Sequence, residues 1–374
     1  MDPSPLSRRL VWAEVNLDAV AANTRNLARL VNPARLFAVV KADGYGLGAV
    51  PVARTALENG AAGLCVARPE EGLMLRAQGI AAPILILGPT LPSLAPEVVR
   101  ARLTPTVCGL ELAEALAQAA GSRPVAVHVK VDTGLHRYGI SPAEVEPFTR
   151  CLNRYPQLRL EGIWTHLATA DEADKSFAYR QLALLQQVMV GLPQVPLRHA
   201  ANTAAALDLP ELRLDLVRAG LGIYGYYPSK HVGQAVSLQP ALTLKSRVVR
   251  VHEVGPGEGV GYGHTWVASR PTRVALVACG YGDGYPRHLS NRGFVLIRGR
   301  RCPLVGRVSM DLLTVDVSGL PEVGVGDEVV LVGRQGDEEV RLEELAELAE
   351  TIPYELLTRL TPRVARVYVR SEGA

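Results

Sequence analysis

Through the first two thirds of the chain, short apolar runs alternate with stretches of helical periodicity. The runs fall at residues 37–40, 63–66, 84–87, 125–131 and 160–164. Between them, segments 18–30, 47–58, 69–78, 110–119 and 171–190 carry the helical pattern. The last places Phe177, Leu182, Leu185 and Val188 at three-to-four spacing. Repeated strand–helix units of this size predict parallel strands joined by helical crossovers. About eight strand positions fit between residues 11 and 224, which favours a closed (β/α)8 barrel over an open sheet. The pattern changes near Pro240. Strands predicted at 246–251, 272–278, 294–297 and 312–317 alternate with Gly/Pro turns, and helical signal returns only at 342–350. The expected organisation is an α/β barrel over 1–240 followed by a mainly β domain over 241–374.

Composition narrows the class. At 374 residues, 48% hydrophobic and 21% charged, the chain has the profile of a soluble globular protein with a large core. A net charge of +3, spread along the chain, gives no case for nucleic acid or an anionic membrane surface. The longest charge-free stretch, 77–96, holds prolines at 83, 89, 92 and 96 and reads as strand plus loops, not a membrane span. Five cysteines stand far apart, with no CxxC or Cys/His ligand spacing. Neither a disulfide framework nor a metal site is expected. With no secretory signal evident at the N-terminus, reduced thiols in a cytoplasmic protein fit best.

Candidate chemistry begins at Lys41. It ends the run Leu36-Phe37-Ala38-Val39-Val40 and precedes Ala42-Asp43-Gly44-Tyr45-Gly46. An amine at the carboxyl end of a buried strand is poorly hydrated, so its pKa falls, and a neutral lysine can attack an aldehyde. Gly-Tyr-Gly occurs three times, around Tyr45, Tyr262 and Tyr281, placing phenols on freely bending backbone. In 125–131, Ala126, His128, Lys130 and Asp132 share one face and the valines the other. Arg137 follows that strand and has the planar fork that clamps carboxylates. His166 ends the next strand. Thr203 offers a hydroxyl just before a short helix, and Arg218 leads into Gly220-Leu221-Gly222, whose amides suit an anion. Taken singly, His166 reads equally well as a core histidine and the glycine triplet as a tight turn.

Together these segments resemble the alanine racemase family of pyridoxal 5′-phosphate (PLP) enzymes. Phe37-Ala38-Val39-Val40-Lys41-Ala42-Asp43-Gly44-Tyr45-Gly46 is similar to the family's cofactor-attachment motif. The likeness continues through Lys130–Gly139, His166, the 199–203 segment, Arg218, Gly261-Tyr262-Gly263, residues 280–284 around Tyr281, residues 306–311 ending in Asp311, and residues 351–355.

The resemblance implies a two-base racemase of alanine that supplies D-alanine for peptidoglycan. Lys41 would carry PLP and serve the D-enantiomer. Tyr262, from the other subunit of a homodimer, would serve the L-enantiomer, since a proton taken from one face must return on the other. Arg218 matches the arginine that faces the pyridine nitrogen. Arg137 and the Met310 amide match the contacts to substrate carboxylate. Tyr45, Thr203, Gly220, Leu221 and Tyr354 match the phosphate set, with threonine at 203 where the family usually has serine. His166, Tyr281 and Asp311 are supporting groups. Lys130 matches a position that is N-carboxylated in many members. Competing expectations are a racemase preferring serine or accepting many amino acids, a decarboxylase on the same fold, and a non-catalytic PLP-binding barrel. The decarboxylase predicts an acid where Arg218 stands. The single-barrel protein would lack Tyr262 and the β domain.

Overall fold

The computed structural model describes residues 9–370. The chain divides into two compact units. One comprises residues 19–44 and 48–239. The other takes residues 9–18, Tyr45–Leu47 and, of the described residues, those from Pro240 onward.

The first unit is a nearly closed barrel of eight parallel strands: β2 (Arg35–Val39), β3 (Gly63–Val66), β4 (Ile84–Ile86), β5 (Thr104–Val107), β6 (Val125–Lys130), β7 (Leu158–Trp164), β8 (Leu197–His199) and β9 (Leu216–Ala219). From β2 to β8 each strand pairs with its neighbour in sequence, and β9 returns to pair with β2. Backbone bonds Asp215 N→Arg198 O and Arg218 N→Ala201 O, both 3.0 Å, bridge β8 and β9. Strands buried on both faces read as continuous apolar runs, as β3 and β4 do. In β6 the sequence alternates, yet His128 and Lys130 are as buried as the valines between them. The polar face of this strand lies in the protein interior, not in water.

The second unit holds a nine-stranded sheet built around the long β10 (Leu242–Val254). Its path runs β15 (Arg300–Pro303), β14 (Phe294–Ile297), β17 (Glu328–Gln335), β10, β1 (Val11–Asn16) and β19 (Ala365–Val369). β13 (Thr272–Val277) and β16 (Leu313–Asp316) branch from β10, and β18 (Glu338–Val340) pairs with β17. A separate two-stranded ribbon joins β11 (Gly259–Val260) to β12 (Trp266–Val267).

One expectation is corrected. The apolar run at residue 11, counted as a barrel strand, is β1. It pairs antiparallel with β10 and parallel with β19. A short apolar run fixes a strand but not its sheet. Here the partner choice is reinforced by Lys245, whose Nζ lies 3.1 Å from Glu14. The helix Pro142–Leu152 was also missed, because Pro147 sits inside it. Among the described residues no helix is long and apolar enough to cross a membrane, and no His/Cys/Asp/Glu cluster is suited to a metal.

Candidate active site

The barrel gathers most of the candidate groups at the carboxyl ends of its strands. Lys41 follows β2 after Val40. Its backbone then makes a left-handed turn, with φ of 51°, 52°, 61° and 54° at Ala42, Asp43, Gly44 and Tyr45. Each L-residue in that conformation costs roughly 1–2 kcal/mol. The turn is held by bonds from outside it: Asp43 accepts from the Ala49 amide (2.8 Å), Gly48 N donates to Asp43 O (2.8 Å), and Ala42 N donates to Glu71 (2.7 Å). A Cβ on Gly44 would stand 3.0 Å from Ala49 N, a tight contact that would push on the Ala49 backbone, and its φ of 61° already favours glycine. Strain held by surrounding contacts at the foot of a reactive group is a mark of function. Burial pushes the Lys41 amine below the usual lysine range. Arg137 and Arg218 add to the shift, and Glu71 opposes it.

Arg218, in β9, is buried and its donors can be counted. NH1 donates to His199 Nδ1 (2.7 Å), and NH2 donates to Thr165 O (2.9 Å) and Ala200 O (3.0 Å). The guanidinium lies over the Trp164 ring, 4.6 Å from its centroid. Of five N–H groups, Nε–H and one on NH1 have no acceptor among the described residues. Burial lowers Arg218 to about 10, so it stays charged at neutral pH. Among the described residues no carboxylate contacts it. His166 is held well below the ordinary histidine range by burial, then by the charges of Arg218, Arg137, Lys130 and Lys41. It is therefore a neutral imidazole at pH 7.

Lys130, at the end of β6, is only 3% exposed. Its Nζ lies 5.1 Å from the Trp164 ring centroid and 5.6 Å from that of Tyr138. Burial, then Arg137, brings its pKa to about 8. Arg137 is exposed, on a loop shaped by Asp132, which accepts from the Gly134 and His136 amides at 3.0 Å. Thr203 opens the helix Thr203–Asp208, capped by Asn202. Its Oγ1 accepts from Gly220 N (3.0 Å) and Gly222 N (3.3 Å). The Gly220 amide is thus directed to Thr203, and the hydroxyl proton of Thr203 is what remains for an anion. Leu221 begins the turn Leu221–Tyr224, so its amide has no acceptor within that turn.

The β unit holds the other candidates. Tyr262 stands on a turn with Gly261 and Gly263 at φ near 70° and is 70% exposed. Met310 is 53% exposed. Its carbonyl accepts from Gly282 N (2.8 Å), and Ser309 O accepts from Tyr281 N (3.0 Å), which fastens the 309–310 backbone to the Tyr281 loop. Arg363 completes this clasp. It donates to Asp283 (2.7 and 3.3 Å) and to Asp311 (2.7 Å). Tyr45 and Tyr354 pack with ring centroids 6.0 Å apart. Sequence reasoning missed Arg363 and Asp283, which lie 80 residues apart in the chain. Nothing in either local pattern points to the other.

Comparison with known proteins adds a second line. The profile "Alanine racemase, N-terminal domain" matches residues 15–228, and "Alanine racemase, C-terminal domain" matches residues 241–368. The chain is 48% identical to an alanine racemase of Desulfosudis oleivorans, covering 97% of each chain. It is 42% identical to that of Halothermothrix orenii, covering 98% of each. Among solved structures, alanine racemase of Clostridium difficile 630 matches with a TM-score of 0.91 at 38% identity, over 97% of this chain and 96% of that one. Alanine racemase from Bacillus anthracis with bound L-Ala-P matches with a TM-score of 0.91 at 37% identity, over 98% and 96%.

Proposed function

The chain belongs to the alanine racemase family and is a PLP-dependent racemase, and from that premise we propose that it interconverts L- and D-alanine by a two-base mechanism and supplies D-alanine for peptidoglycan in the cytoplasm. The observation that carries this reading is Lys41: a desolvated amine with lowered pKa, on a strained turn at a barrel strand end.

The residues present fit PLP. Lys41 offers an amine for the cofactor aldehyde. Arg218 offers two spare buried donors for a neutral ring nitrogen, and Thr203 a hydroxyl proton for the phosphate, with Leu221, Tyr45 and Tyr354 in the same set and Gly220 orienting the Thr203 hydroxyl through its amide. When bound, PLP supplies an electron sink for the charge left at the substrate Cα. The chain's own groups do the rest. Lys41, its pKa lowered by burial, holds and moves a proton at Nζ on one face of Cα. Tyr262 moves one at its phenol oxygen on the other. Arg137 and the Met310 amide grip the substrate carboxylate. Neutral His166 supports the site without adding a further positive charge. A permanently charged arginine, in place of an acid, leaves the ring nitrogen unprotonated, which limits the reaction to proton exchange and disfavours the decarboxylase reading.

In this reading Tyr262 and Met310 reach the barrel of a second copy of the chain in a homodimer. Their exposure within their own unit supports that, because a catalytic phenol standing in open water lacks the water-excluding surroundings that proton exchange at a substrate carbon needs. Tyr281 and Asp311 hold the Met310 backbone.

Lys130 is proposed to be N-carboxylated. Only the neutral amine reacts with carbon dioxide, and a pKa of about 8 makes that form accessible. The carbamate would also remove a buried cation beside Arg137. A carbamate carbon resonance should appear with 13C-bicarbonate and be absent from Lys130→Arg. No resonance in the native protein would reject it. The activity is tested by incubating the PLP-loaded protein with L-alanine, D-alanine and L-serine and separating the enantiomers. Fast racemisation of alanine is expected, with serine slower because Tyr354 keeps the pocket small. Release of carbon dioxide instead, or serine outpacing alanine, would overturn the assignment.

A further inference from the structure

The barrel interior contains a second set of polar side chains behind Arg218, and no part of the racemisation reading uses it. His199 Nε2 lies 2.9 Å from His128 Nδ1, and both rings are fully buried. His128 Nε2 lies 3.8 Å from Glu161 Oε2, an ion-pair distance longer than a hydrogen bond. The three residues come from three neighbouring strands: Glu161 from β7, His128 from β6 and His199 from β8.

The direction of the chain follows from donor counting. A guanidinium only donates, so His199 Nδ1 must accept from Arg218 and carry no proton. Burial holds His199 and His128 below the ordinary histidine range, so both rings are neutral. The single proton of His199 is then on Nε2 and points at His128 Nδ1. That nitrogen must accept, which places the His128 proton on Nε2, facing the Glu161 carboxylate. Every N–H points the same way, from the cation toward the anion.

The backbone is shaped to seat these rings. A Cβ on Gly162 would lie 2.5 Å from the His128 ring, so only glycine leaves space there. The β6–β7 register also shifts between Val127 and His128, where the chain makes room for the imidazole. Trp164 stacks on His199 at an interplanar angle of 8°, with centroids 5.6 Å apart.

We propose that Glu161, His128 and His199 are positioning residues for Arg218: a one-way donor relay that fixes the guanidinium in the barrel and supplies its counter-charge from two imidazoles away. A carboxylate in direct contact would neutralise the arginine and could deliver a proton to the ring nitrogen it faces. A distant carboxylate, reached through two neutral rings, stabilises the buried cation while leaving its spare donors as the only groups presented to the cofactor. The effect on the cofactor rests on the racemase reading; the tautomer order does not.

The test is 15N NMR of the PLP-loaded protein with labelled histidine. Both His199 and His128 should be neutral at pH 7, each with its proton on Nε2. A proton on Nδ1 of either ring, or a charged ring, overturns the relay. This measurement needs no substitution, so it holds even if variants fold poorly. In Glu161→Gln the His199 ring nitrogens should shift although that ring does not touch residue 161, and the 15N signal of labelled PLP should move with them. The kcat/KM for alanine should fall by about tenfold, as for outer contacts to ligand-holding histidines, and Glu161→Asp should recover much of the loss. Unchanged His199 and PLP nitrogen signals in Glu161→Gln would overturn the relay. Absence of racemisation in the native protein, with the tautomer order intact, would instead overturn the racemase reading alone.

Discussion

The barrel interior and the exposed loops of the β unit solve the same problem, holding polar groups in place, in opposite ways. In the barrel, Arg218, His199, His128 and Lys130 are buried, and the donors of Arg218 are accounted for down to two. In the β unit, Tyr262 and Met310 are exposed, and the clasp beneath them is a partly exposed ion-pair network through Arg363. Charges crowded in low dielectric shift pKa values strongly; charges in water do not. The barrel therefore contains tuned chemistry of its own. In the proposed homodimer, the β unit carries groups whose environment would be supplied on assembly. Under the proposed sharing of sites, the two halves of a site are not equally finished within one chain.

The largest way to break the comparison is on the barrel side. Lys41→Ala should remove the visible absorbance of the bound cofactor and lower turnover by more than about 10⁴-fold, since it loses both attachment and a base. Spectrophotometry and the chiral assay read both. Retained visible absorbance with turnover would show that another amine carries the cofactor. On the β side, Tyr262→Phe should lower racemisation by about 10²–10⁴-fold while the cofactor remains bound. Full activity in both directions would remove the phenol from the mechanism. A smaller effect is expected from Arg363→Ala, which releases Asp311 and leaves Asp283 buried without its cation. If the clasp fixes the Met310 amide, KM for alanine should rise by about tenfold with little change in kcat, the pattern of lost uniform binding. An unchanged KM would mean the clasp is only structural.

The smallest effect separates the regions by pH. His128, His199 and His166 are held below their ordinary value by burial, so the native protein binds fewer protons than the unfolded chain. Stability is then fully present above about pH 6.5, the unfolded histidine value, and declines as pH falls below it. Denaturant midpoints should be lower at pH 5 than at pH 8. An equal or higher midpoint at pH 5 would mean the buried histidines carry charge in the native state.

Much of this was legible in the sequence, for reasons that differ by residue. Lys41 could be found because an apolar run ends on it and glycines follow. The barrel could be read from the alternation of runs and periodic segments. Residue pairings across long separations could not. β1 was counted with the barrel because its partner strands begin more than 200 residues later. Gly220 was expected to offer its amide to an anion, yet it donates to Thr203, a contact no local pattern encodes. The helix Pro142–Leu152 hid behind Pro147, although its capping box, Ser141 with Glu144, was present as a signal. His128 was placed correctly on the polar face of β6, but only the fold shows that this face is interior and that Glu161 and His199 meet it.

The central claim, that each active site is shared by two chains, is tested most directly by complementation. Lys41→Ala and Tyr262→Phe chains, each nearly inactive alone, are coexpressed and the mixed dimer assayed. One site then carries both defects and the other carries neither. Random pairing should restore about a quarter of native turnover per site, because half the dimers are mixed and each has one intact site. A mixture as inactive as its components would mean that Lys41 and Tyr262 act within one chain, and would contradict the account.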